Sequence, residues 1–150
     1  MITVYYSIII ENSPTKVYEV MLDQDSYRKW TKPFSPTSDL RGDWTEKTKM
    51  LFTSKDHEGF EAGMIAIVDA NIPGDIVILR HVGMFDQNGE YNEGKMVDEW
   101  KNSLEVYRFK NLNGKTNLIC SIELSDQTDP HMFDQTWPDA LNLLKEICEK

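Results

Sequence analysis

The sequence predicts an α+β fold in which an antiparallel sheet is covered by one long C-terminal helix, with two short helices after the first strand. Three observations carry this. Short apolar stretches recur along the middle of the chain, separated by Pro73-Gly74, Asn88-Gly89 and Asn113-Gly114, which are turn dipeptides. Ser13-Pro14 sets an N-cap and a first-turn proline directly after the first apolar stretch. Phe133, Trp137, Leu141, Leu144 and Cys148 recur at three- and four-residue steps, which is one face of a helix. At 150 residues the chain is one domain and can bury roughly two-thirds of its unfolded surface, so disulfides or metals are not needed to hold a core.

In chain order, Thr3–Ile10 reads as the first strand. A helix runs from Ser13-Pro14 to about Leu22, with Val17, Val20 and Met21 as its apolar stripe. Asp25-Ser26 is the expected cap of a second short helix ending at Trp30, and Pro33 and Pro36 stop it. A weak strand lies near Asp39–Gly42. Strands follow near Lys47–Thr53, Phe60–Ala70, Ile76–Gly83, Trp100–Phe109 and Thr116–Leu124. The stretch Asp86–Asp98 is read as a mobile, charged connection whose functional alternative is a lid. The last helix is expected over Pro130–Glu149, with Asp129 as N-cap and Pro138 bending it or delaying its start. Strands joined by short turns make a meander. One of its faces is apolar and needs a cover, and the last helix is the only element large enough.

Composition narrows the function classes. The formal net charge is −9, which repels nucleic acid and anionic membrane at long range, so neither is expected as a partner. No apolar run is long enough for a membrane span. The opening MITVYYSIII has no basic region ahead of its apolar residues, reads as a strand, and makes the cytoplasm the expected location. Cys120 and Cys148 are too few for a disulfide framework or a four-cysteine zinc site and are read as small core side chains.

Several segments together resemble a known family. They are Ser13–Met21 (SPTKVYEVM), Tyr27–Trp30 (YRKW), Gly42-Asp43-Trp44, Arg80–Gly83 (RHVG), Trp100–Tyr107 (WKNSLEVY) and Trp137–Lys145 (WPDALNLLK). In this order they resemble the SRPBCC superfamily, the START and birch-pollen-allergen-like helix-grip proteins. Within it the chain is similar to the branch named after the activator of the heat-shock protein 90 ATPase. The resemblance implies a curved antiparallel sheet gripping the long helix, with a cavity between them. It also implies a ligand class of lipids, hormones, polyketides or other apolar molecules, with a few cyclases and other enzymes among the members. Fold does not by itself fix which of these applies.

Strand alternation assigns the inward side chains, on the rule that charge faces out. It places Phe60, Ala62, Met64, Ala66 and Val68 inside, then Val77, Leu79 and His81 opposite an outward Arg80. Lys101 and Glu105 mark an outer row, which leaves Trp100, Leu104 and Val106 inside. Leu118, Cys120, Ile122 and Leu124 join them, with Met50 and Phe52 from the earlier strand. Trp137 and Trp100 are expected to face each other across the gap between helix and sheet. Trp30, Trp44 and Phe34, with Tyr27 and Tyr107, are either core or an aromatic mouth that stacks on a flat ring. The candidate cavity set is therefore Trp30, Phe34, Trp44, Met50, Phe52, Met64, Leu79, His81, Trp100, Leu104, Leu118, Trp137 and Leu141. The same residues are compatible with a solid core of interleaved sizes.

Of the three histidines, only His81 is placed inside, where an imidazole serves as a satisfied core group, a ligand anchor or an acid–base. His57 belongs to a polar hairpin tip, and His131 to the first turn of the last helix. The three lack metal-ligand spacing, so no metal and no cofactor are expected. Asp126, Asp129 and Asp134 read as a solvated helix entry. No nucleophile elbow or phosphate-binding glycine loop is present, and no catalytic residue is assigned. Three readings follow. The first is binding of a small apolar, aromatic or lipid-like molecule in an internal cavity. The second is a protein-interaction module of the chaperone-activator kind, with a chaperone or a second copy as partner, the copy pairing through an exposed sheet edge. The third is a cyclase- or hydrolase-type enzyme built around His81.

Overall fold

The computed structural model describes residues 1–150. Its elements are β1 (Ile2–Ile10), α1 (Pro14–Leu22), α2 (Gln24–Trp30), β2 (Asp39–Arg41), β3 (Lys49–Lys55), β4 (Glu61–Ile72), β5 (Ile76–Asp86), β6 (Gly89–Tyr91), α3 (Lys95–Asp98), β7 (Leu104–Leu112), β8 (Lys115–Leu124) and α4 (Thr136–Cys148). The strands form one antiparallel sheet in the order β1-β8-β7-β5-β4-β3-β2, with β6 paired to β5. The helix-grip architecture follows: the sheet curves, and α4, α1 and α2 fill its concave side. Two register shifts in the β4–β5 ladder, at Ile65/Ala66 and Val68/Ala70, supply local bending.

Local chemistry explains most boundaries. The Ser13 hydroxyl accepts from the Lys16 amide at 3.2 Å, and Pro14 opens α1. Val17 and Met21 then bury completely. The cap of α2 is Asp23 rather than Asp25-Ser26. Its carboxylate accepts from the Ser26 amide at 3.1 Å, so one residue ends α1 and starts α2. Asn113 (φ 53°) and Gly114 (φ 90°) link β7 to β8 as a two-residue turn with both residues left-handed, matching the right-handed twist of the strands.

Four expectations are corrected. α4 begins at Thr136, not Pro130, and Asp129 is no cap. A helix running through Asp134 would drive the Pro138 ring into the Asp134 carbonyl, so the chain stays in turns until Pro138 can occupy the first turn. His131 accordingly sits in those turns, 2.9 Å from Asp134. The stretch read as a mobile connection contains β6 and α3, and Lys49 pairs with Glu90 at 3.0 Å across it. Phe60 precedes β4 and is exposed, because the Asp56 carboxylate closes the tip by accepting from the Glu58 and Phe60 amides. Trp100 does not face Trp137: it lies in the turns before β7, which begins only after Asn102 at φ 70°.

The main core lies between the concave face and α4. Met50, Leu79, Leu118, Leu141 and Leu144 are fully or almost fully buried there. Cys120, Ile122 and Leu124 face it as the alternation predicts. Ile65, Val97 and Val106 are buried outside this core, and α3 supplies Val97. At the free edge of β1, the Lys145 ammonium donates to the Ile9 carbonyl at 2.8 Å and occupies a group that another strand would need.

Candidate functional site

A cleft of about 300 Å³, partly open to solvent, lies between α2, the turns leading into α4, and the concave face of β3, β4, β5 and β7. Its aromatic wall is built by several elements. Trp137 at the start of α4 is the hub. Its ring centroid lies 5.1 Å from Phe34, 6.2 Å from Trp30, 6.3 Å from Tyr6 and 6.4 Å from Tyr107. Trp30 is held by its indole N–H, which donates to the Met21 carbonyl at 3.1 Å. Phe52 closes the opposite side, 6.0 Å from Tyr27. Gly63 permits this shape. A methyl group there would lie 1.8 Å from the Phe52 carbonyl oxygen, so only glycine lets β3 and β4 approach.

The polar part is a connected group on β5 and β7. His81 Nε2 lies 3.2 Å from Glu105 Oε1, and the Tyr107 hydroxyl donates to Glu105 Oε2. The His81 and Glu105 side chains are only 14% and 18% exposed. Burial, then the charge of Glu105, pushes the Tyr107 and Tyr27 hydroxyls well above the ordinary phenol range, so both remain protonated donors. Burial also raises the Cys120 thiol, with Glu105 adding to it, which keeps it from acting as a thiolate. His81 Nδ1 is the one buried side-chain polar atom without a hydrogen-bond partner. An orphaned buried group of this kind costs about 1–3 kcal/mol. The walls contain no lysine and no arginine.

A second, larger groove of about 570 Å³ runs along the outer side of α2, between Lys29, Lys32 and Lys55. Apart from Pro36 its lining residues are charged or hydroxyl-bearing, so a guest there would gain little from leaving water. The smaller cleft is the better candidate because it combines apolar walls with a few convergent polar groups.

Of the thirteen candidate cavity residues, Trp30, Phe34, Phe52, Met64, His81 and Trp137 meet at the cleft. Trp44, Met50, Leu79, Leu118 and Leu141 are packed behind it in the core. Trp44 sits at φ 64°, unusual for a bulky residue, and is tied down by its indole N–H donating to the Leu22 carbonyl at 3.1 Å. Trp100 and Leu104 are away from the cleft: Trp100 lies in the turns before β7, and Leu104 belongs to the row of β7 that faces the other way. The cost of burying an isolated charge predicts Glu105 outward, but it is neither isolated nor outward. With its partners in place Glu105 turns in, Tyr107 and Phe109 follow on the same row, and Leu104 and Val106 turn out. Glu105 is therefore the functional candidate that alternation missed. The signal was present: Glu105 and Tyr107 stand at i and i+2, on one face of a strand.

No protein-family model matches the sequence, and no curated protein matches it at a significant level. Solved structures do. The chain is similar to the Aha1 dimer of Colwellia psychrerythraea, with 21% identity, 99% of this chain and 97% of that one covered, and a TM-score of 0.71. A protein of Chromobacterium violaceum gives 15% identity over 100% and 99% of the two chains, with a TM-score of 0.73. An AHSA1-like protein of Aeromonas hydrophila gives 13% identity over 97% and 90%, with a TM-score of 0.67. At these identities the likeness is one of fold. The chain has the helix-grip fold of the Aha1-like proteins, the fold that the sequence segments resemble. No helix is long and apolar enough to cross a membrane.

Proposed function

We propose that this protein binds a small apolar or aromatic molecule in the cleft between the sheet and α4. The observation that carries the reading is the arrangement around Trp137. Aromatic residues of α2, β3, β7, α4 and the turns before it line a space of about 300 Å³, and its polar part is the His81–Glu105 pair together with serine and threonine hydroxyls. Flat apolar surface entering this space leaves water at about 25 cal/mol per Å². The polar pair orients whatever end reaches it.

The test is thermal unfolding against neutral flat aromatics such as naphthalene-1-methanol and against long-chain alcohols. Under this reading the melting temperature climbs with ligand concentration, as mass action requires. Phe34→Ala removes an exposed part of the wall and weakens the climb. If no apolar compound moves the melting temperature, the proposal fails. The competing outcome is then a protein partner of the kind implied for heat-shock protein 90 ATPase activators, sought by pull-down.

A further inference from the structure

We infer that the preferred occupant of the cleft is an arylalkyl amine, bound as its ammonium form against Glu105, and that aromatic or fatty carboxylates are excluded. This rests on the reading above and adds the charge of the ligand to it.

The argument begins with the charges that reach the cleft. Glu105 is the one carboxylate in its walls, His81 the one imidazole, and no lysine or arginine is among them. An incoming carboxylate would meet Glu105 without a fixed cation to offset it. In a partly dehydrated site that repulsion is poorly screened. A cation meets the reverse. The whole chain carries a formal charge of −9, which favours positive ligands at long range.

Glu105 also has capacity to spare. Its two carboxylate oxygens offer about four acceptor sites. His81 Nε2 engages one oxygen and the Tyr107 hydroxyl the other. Further donors are therefore accommodated at each oxygen. An ammonium group carries three donors and no acceptor, which suits the spare acceptor sites of the Glu105 carboxylate.

The walls favour the same charge. Phe34, 37% exposed at the cleft and held 5.1 Å from Trp137, offers its ring to the occupant, and aromatic faces attract cations as well as flat rings. The lysines of the neighbouring groove, Lys29, Lys32 and Lys55, do not line the cleft. They reach solvent on the outer side of α2 and offer no countercharge to an anion inside the cleft.

Calorimetric titration of the full chain at pH 7 with three naphthalenes of matched shape decides the matter. These are naphthalene-1-methylamine (cation), naphthalene-1-methanol (neutral) and naphthalene-1-carboxylate (anion). The expected order is amine, then alcohol, then carboxylate, with the amine about tenfold tighter than the alcohol. Glu105→Gln keeps the shape and removes the charge, so the amine loses its advantage while the alcohol is little changed. If that variant does not fold, the ranking on the unaltered protein decides alone. Alcohol or carboxylate binding as tightly as the amine overturns this inference and leaves the cleft reading intact. Failure of all three to bind overturns both.

Discussion

Glu105 on β7 and His81 on β5 meet at 3.2 Å, with the Tyr107 hydroxyl on the other oxygen of the same carboxylate. Three polar groups from neighbouring strands are thus joined through one carboxylate beneath an aromatic wall. Removing one member leaves another without its partner in a place water does not easily reach. Tyr107→Phe should therefore lower the unfolding free energy by about 1–3 kcal/mol in urea titration, more than a surface hydroxyl would. In a double-mutant cycle with Glu105→Gln the two changes should not be additive, because both touch one carboxylate. Additive effects would show that the contact has no energetic weight.

Gly63 has an ordinary backbone conformation, yet it cannot be replaced. An alanine methyl would stand 1.8 Å from the Phe52 carbonyl oxygen. The β3–β4 ladder pairs Phe52 with Met64 and Thr53 with Gly63, so the strands would have to separate where the cleft is built. Gly63→Ala is expected to cost about 3 kcal/mol or more. Chemical denaturation measures this, and a near-neutral effect would mean that the ladder is more pliant than its geometry.

Acid should weaken the contact between α2 and β2. Burial alone would raise the Asp39 carboxyl. The Arg28 side chain, the Leu40 amide and Gln24 donate to it, and together with the charge of Arg28 they outweigh burial and hold it below its usual 3.8. A carboxyl depressed in the folded state stabilises above the unfolded value, and that stability is lost as pH falls through the lower folded value. Asp39→Asn should therefore lower the melting temperature at pH 7, and its difference from the unaltered protein should shrink as pH drops below about 4. A constant difference across this range would contradict the assignment. The His131–Asp134 pair adds a contribution of the opposite sign on the histidine side. The Asp134 hydrogen bond and charge raise the imidazole, so its contribution is full below 6.5 and fades as pH rises through the higher folded value.

The two cysteines should be silent in the folded protein. Burial raises Cys120, and burial then Glu149 pushes Cys148 up to about 11. Thiolate is the reactive form, so a disulfide reagent at pH 8 should label neither at an appreciable rate and both after urea is added. Fast labelling before unfolding would place at least one thiol in contact with solvent.

The regular parts of the fold were legible because their signals are local. Ser13-Pro14 caps a helix through groups three residues apart, and Asn113-Gly114 turns a hairpin through its own backbone angles. The alternation of β8 needed only the cost of placing Glu123 inward, and Leu118, Cys120 and Ile122 followed. The start of α4 was half legible. Pro138 was visible as an obstacle, but whether the chain bends or begins late depends on how the preceding turns pack.

Residue order thus determined an antiparallel sheet, its turns, a covering helix and an apolar inner face, because periodicity and turn chemistry act between near neighbours. Tertiary structure decided which way β7 faces. Glu105 can turn inward only when His81, twenty-four positions earlier, arrives on an adjacent strand. The energy that reverses the row comes from a contact that local sequence does not contain. It also decided that Trp137 meets Trp30 and Phe34 rather than Trp100, since ring partners are chosen by where chain segments converge.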